Sequence, residues 1–162
     1  MTQKLCRGAA GVTLIEMLIV VALIGLMVGI TFPSVSSGIE TMRLNEASSQ
    51  LVNFLNDALI RAERREQGVE ISISKSEKSL TMRSPEQEKK TVLPQGISIA
   101  RILPEDSQWE EDQPRRFMIY PGGTVPRIGI EIVNAKGAHR MVRVDPITGV
   151  PRIEVVDNAE KQ

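Results

Sequence analysis

Little of the usual raw material for catalysis is present in this sequence. Cys6 is its one cysteine, so no intramolecular disulfide and no cysteine-built zinc site can form. His139 is its one histidine, which excludes a multi-histidine metal centre. Placed at the start of an expected strand, it reads as a lone surface side chain. Aromatic residues make up 3% of the chain, too few for an extended platform on which single-stranded nucleic acid could stack. Lysine plus arginine and aspartate plus glutamate are equal at 20 each, so no net field recruits polyanions or membranes. No serine lies in a nucleophile-elbow motif. Gly122-Gly123 is followed by Thr124 and Val125 rather than Gly-Lys-Ser/Thr, and reads as a turn, not a phosphate-binding loop. No catalytic residue, metal or cofactor is expected.

What is present is a long apolar run, "GVTLIEMLIVVALIGLMVGITFP" over residues 11–33. As a helix, residues 12–32 reach about 32 Å, enough for a hydrocarbon core of about 30 Å. Lys4 and Arg7 precede the run and no acidic residue does. That asymmetry keeps the N-terminal end cytoplasmic and sends the rest across the membrane, into the periplasm of a double-membrane bacterium. A secretory signal peptide or a plain single-span anchor would also be apolar, but neither accounts for Glu16, the one ionisable side chain inside the run. A carboxylate at membrane depth is costly unless it is paired.

The stretch "RGAAGVTLIEMLIVVALIGLMVGITFPSV" resembles the class III signal of type IV pilins and type II secretion pseudopilins: a short basic leader ending in glycine, then the apolar run. The resemblance implies cleavage between Gly11 and Val12 by a prepilin peptidase and N-methylation of Val12. It also makes Glu16 the fifth residue of the mature chain and places Pro33 at the family's helix-perturbing proline. Relatives mostly begin the mature chain with Phe, and this one has Val12, a conservative departure. Glu16 of an incoming subunit is then expected to pair with the new amine of a neighbour's Val12, so that mismatched docking leaves a charge unpaired in hydrocarbon. The bland alternative is that Glu16 snorkels to the headgroups. Cleavage removes Lys4, Cys6 and Arg7, leaving a mature chain with no cysteine.

After Pro33, Val35, Ile39, Met42, Ala47, Leu51, Leu55, Ala58, Leu59 and Ala62 recur at helical spacing and predict an amphipathic helix with one buried stripe. The stripe is not heptad-strict, so packing on a sheet is expected rather than a coiled-coil seam. Pro33 is expected to kink or loosen the join, and Ser36, Ser37 and Gly38 to soften it. Gly68 suits the helix end. The period then changes to two. Strands are predicted at 69–74, 79–84, 97–103, 115–120, 128–133, 140–144 and 152–156, separated by turn residues. Short strands at this spacing suggest antiparallel meanders packed on the helix, an α+β fold. The expected organisation is a leader at 1–11, a transmembrane or filament-core helix at 12–33, an amphipathic periplasmic helix at 34–67 and a β-rich periplasmic domain at 68–162.

The later pattern, "FMIYPGGT" and then "IEIVNAKGAHRMVRVDPITGVPRI", resembles the C-terminal half of H-type minor pseudopilins and of the related FimT kind of minor type IV pilin. The resemblance implies a pilin-like fold and other major and minor pseudopilins, the prepilin peptidase and an inner-membrane assembly platform as partners. The major pseudopilin is the nearest competitor. Its family carries a C-terminal calcium loop, whereas the acidic cluster at 105–112 here lies mid-domain and reads as a solvated loop. Some FimT-like pilins bind DNA through basic residues. Arg140, Arg143 and Arg152, with Arg127 and Lys136, are the candidates here, because phosphate contacts need such cations. Glu131, Asp145, Glu154 and Asp157 dilute them, so nucleic acid is not the expected partner.

Overall fold

A computed structural model of the chain describes residues 12–105 and 112–156, with backbone only for 31–37. The chain divides into two compact units, Met1–Gly38 and Ile39–Gln162. One helix, α1 (Leu14–Arg65), enters both. In the first unit its side chains from Leu14 to Ile30 are exposed and, Glu16 aside, mostly large and apolar. Among the described residues no helix is long and apolar enough to cross a membrane. The backbone stays helical through Pro33 and residues 36–38. The side chain of Pro33, like that of Val35, lies outside the described residues.

In the second unit the helix buries Leu44, Ala47, Leu51, Phe54, Leu55, Ala58 and Ala62. This differs from the expected stripe at its start. Ile39 and Met42 are exposed and Leu44 takes the inward position. Counting back from Leu51 in steps of seven reaches Leu44, whereas Met42 falls between the inward positions. Phe54 joins the stripe beside Leu55. The helix ends in a Schellman motif: Glu66 takes a left-handed φ of 52° and the Gln67 amide donates to the Ala62 carbonyl at 3.3 Å. The terminator is therefore Glu66, two residues before the expected Gly68. Arg64 and Arg65 in the last turn complement the helix dipole.

Among the described residues eight antiparallel strands follow. In the first sheet, β1 (Val69–Ser74) lies between β2 (Ser79–Arg83) and β5 (Arg115–Ile119), with β3 (Glu88–Val92) beyond β2. In the second, β4 (Ile97–Leu103), β6 (Gly129–Asn134), β7 (His139–Val144) and β8 (Pro151–Val155) are adjacent in that order. Strand alternation turns Val69, Ile71 and Ile73 inward, with Met82 and Leu80 in register beside the latter two. From the second sheet come Ile97, Ile99, Ile102, Ile130, Ile132 and Val142, and all of these join the helix in one core. The expected α+β arrangement, a helix on two small antiparallel sheets, is what the residues build.

Strand β3 is an addition to the strands that the sequence pattern predicts. Its sequence, EKKTV, has no buried residue, so it shows no apolar alternation. Polar contacts to α1 hold it instead: Lys89 Nζ donates to Asp57 at 2.7 Å and, just before the strand, Arg61 donates to Gln87 at 2.6 Å. Its charged side chains also blunt a sheet edge that would otherwise invite pairing.

Candidate functional site

Two places bear on function, one in each unit. The first is the start of α1. Thr13-Leu14-Ile15-Glu16 has the spacing of a capping box, and the Glu16 amide donates to Thr13 Oγ1 at 3.3 Å. Thr13 thus caps the helix, and Glu16 stands in the first turn, where the dipole favours a negative charge. Val12 is exposed immediately ahead of the cap. Val12 and Glu16 therefore sit about one turn apart at the same helix end. The capping role of Thr13 is legible in the sequence from the Thr-x-x-Glu spacing. Gly11, on the other side of the expected cleavage point, lies outside the described residues.

An exposed helix bearing this much apolar surface is unsuited to water; it needs lipid or other apolar helices around it. A family model described as the prokaryotic N-terminal methylation motif matches residues 6–32. The chain carries a class III, pilin-type signal. That signal implies processing by a prepilin peptidase, assembly with other pilin-like chains and membrane anchoring through the N-terminal helix. No curated protein and no solved structure matches the chain.

The second place is the face of the second sheet turned away from the core. A β-bulge between Ile99 and Arg101 sets its chemistry. Simple alternation from Ile97 and Ile99 would drive Arg101 into the core. The bulge inserts Ala100 as an extra residue, so Ile102 faces the core and Arg101 lies opposite Glu131 on the outer face. Arg101 Nε donates to Glu131 Oε2 at 2.9 Å, and His139 Nδ1 lies 2.8 Å from Glu131 Oε1. The Glu131 side chain is only 4% exposed, so the two partners satisfy a carboxylate that could not stand there alone. Burial alone would depress the Arg101 pKa, but the Glu131 charge and hydrogen bonds to Glu131 and Glu105 hold it above its ordinary value. Two expectations are corrected here. His139 is a mostly buried hydrogen-bonded group rather than a free surface histidine, and Glu131 is not an exposed charge diluting the arginines.

The expected basic set is divided by the pleat. Arg143 and Arg152 are direct cross-strand partners on the outer face. Arg140 pairs in register with core-facing Ile132 and with Val155, so it points to the other side of the sheet, and its guanidinium donates to the His139 carbonyl. Lys136 sits in the β6–β7 turn, away from Arg143. Arg127, just before β6, lines the same cavity as Arg143. Arg152 is eased by Asp145, 3.9 Å away. Backbone hydrogen bonds from Ile147 and Thr148 hold the Asp145 carboxyl below the ordinary carboxylate range, with a smaller contribution from Arg152. The acidic cluster at 105–112 lies mostly outside the described residues. Among the described residues no three metal-ligating side chains converge.

Proposed function

We propose that this chain is a minor pseudopilin of the H type, a subunit of the short periplasmic filament of a type II secretion system. The observation that carries the reading is the pilin-type signal at residues 6–32, with Glu16 in the first turn of an exposed apolar helix joined to an α+β unit. In this reading the peptidase cuts between Gly11 and Val12, and Val12 is N-methylated. Glu16 then pairs with a neighbour's N-terminal amine as the apolar helices bundle. Pro33 eases the passage from filament core to periplasmic unit. The chain resides in the inner membrane with its C-terminal unit in the periplasm, and leaves the bilayer on assembly with major and minor pseudopilins at the assembly platform. Its part is to help push folded proteins across the outer membrane, with no catalytic step of its own.

The test is the extracellular protein profile of a strain lacking the gene, beside complementation by wild type and by Glu16→Ala. Loss of specific exoproteins, restored by wild type and not by the variant, is the expected result. An unchanged profile defeats the secretion role. Full rescue by Glu16→Ala defeats the pairing role of the carboxylate. A second reading, a minor type IV pilin engaged in DNA uptake or in priming pilus assembly, draws on Arg127, Arg143 and Arg152 lying near one end of the second sheet. Its signature is DNA binding that weakens steeply with salt; undetectable DNA affinity removes the uptake role.

A further inference from the structure

Leu103, Gly129, Arg143 and Arg152 form one cross-strand row on the outer face of the second sheet. Gly129 keeps the middle of that row low. A Cβ there would stand 3.0 Å from Leu103 Cβ and 3.1 Å from its Cδ1, too close for any other residue without movement. At this end of the sheet β4 and β7 finish and β6 begins, and the surface sinks into a cavity of about 380 Å³. Leu103, Pro104, Val144 and Pro146 make it apolar, and Arg127 and Arg143 stand at its sides. Both arginines are exposed. Among the described residues neither guanidinium has an ion-pair or hydrogen-bond partner, unlike Arg101 and Arg152 beside them.

We propose that this slot binds a peptide segment of a neighbouring protein subunit, one that places a carboxylate next to an apolar side chain. The apolar floor takes the side chain, and Arg127 and Arg143 take the carboxylate. Charge complementarity decides the occupant's sign: two unpaired guanidiniums, each able to grip a carboxylate bidentately, flank the hollow, whereas the nearby carboxylates are already engaged, Asp145 by the Ile147 and Thr148 amides and Glu105 by Arg101. The floor decides against nucleic acid. A phosphate backbone wants a track of cations and faces on which bases stack, whereas here two cations border an aliphatic hollow. That the neighbour is a filament subunit rests on the pilin-like reading; the chemistry of the slot does not.

The test uses the full chain in detergent micelles and an acetylated, amidated pentapeptide of alternating glutamate and leucine, followed by calorimetry. The same peptide with glutamine for glutamate is the control. Saturable binding is expected, weakened about tenfold or more both by the control and by the double variant Arg127→Gln/Arg143→Gln. Both substitutions are at exposed positions and leave the core intact. The proposal is overturned by equal binding of the two peptides, by an unaffected double variant, or by no saturation below about 1 mM. A short oligonucleotide bound more tightly through the same arginines would overturn it in favour of nucleic acid. Self-association of the chain abolished by the double variant would do so in favour of a second copy. Glu16→Ala should bind the peptide normally, so failure of the filament reading and failure of this one show up in different experiments.

Discussion

Replacing Arg101 with leucine removes one of the two partners of a carboxylate that has almost no access to water. The lost contact is a charge-assisted hydrogen bond of 2.9 Å to Glu131, and the carboxylate stays behind with His139 alone. Stranding one member of a buried ion pair costs about 3–5 kcal/mol. Arg101 itself is 46% exposed, so water can enter where it stood, and about 2 kcal/mol is the better figure. For a unit of this size that lowers Tm by roughly 5–10 °C. Thermal unfolding of the full chain, followed by near-ultraviolet circular dichroism, reads the loss without interference from the exposed helix. Hydrogen exchange should localise it to β4 and β6. The double variant Arg101→Leu/Glu131→Leu should recover more than half of the loss, because both charges then leave together. A single variant within about 0.5 kcal/mol of wild type, or a double variant less stable than the single, would refute the claim that Glu131 depends on this partner.

Three further outcomes are expected. Gly129→Ala forces Leu103 aside and should destabilise by about 1–3 kcal/mol, measured by denaturant unfolding, with Leu103→Ala in the same chain relieving part of it. The depressed Asp145 carboxyl contributes stability that is present above its unfolded value and lost as pH falls through its lower folded one. Wild type should therefore lose stability in acid, below about pH 4, while Asp145→Asn has already lost that part at neutral pH and shows a shallower acid slope in a Tm–pH series. Intact mass of the membrane-extracted protein should lack residues 1–11 and carry one methyl group, and a bulky substitution at Gly11 should preserve the full-length mass; retention of the leader in wild type would contradict the processing step.

Several features could be read without any fold. The apolar run at 12–32, the basic residues before it and the lone Glu16 depend only on linear spacing, and the change of period after Gly68 marked the passage from helix to strands. Strands β1 and β4 have the expected bounds: β1 alternates throughout, and β4 is apolar enough on its inward side for its one slip of phase to leave its ends in place. Strand β3 escaped notice because its helix-facing position is Lys89, held by Asp57 across thirty-two positions of chain, and no local pattern records such a contact. The bulge in β4 shows in the sequence only as a slip of phase, from Ile97 and Ile99 to Ile102 across the charged Arg101, and pairing with β6 is what shows that Arg101 turns outward to meet Glu131.

The outer-face arginines show the same division. Linear sequence offers Arg140, Arg143 and Arg152 as candidate cations among interspersed acidic residues, and the pleat sends Arg140 to the opposite side while register sets Arg143 against Arg152. The sequence alone determined that the chain has an apolar helix with a pilin-type start, since hydrophobicity and cap spacing are local properties. Tertiary structure alone decided which charges are buried, paired or free, because burial and pairing arise between strands that are distant in the chain.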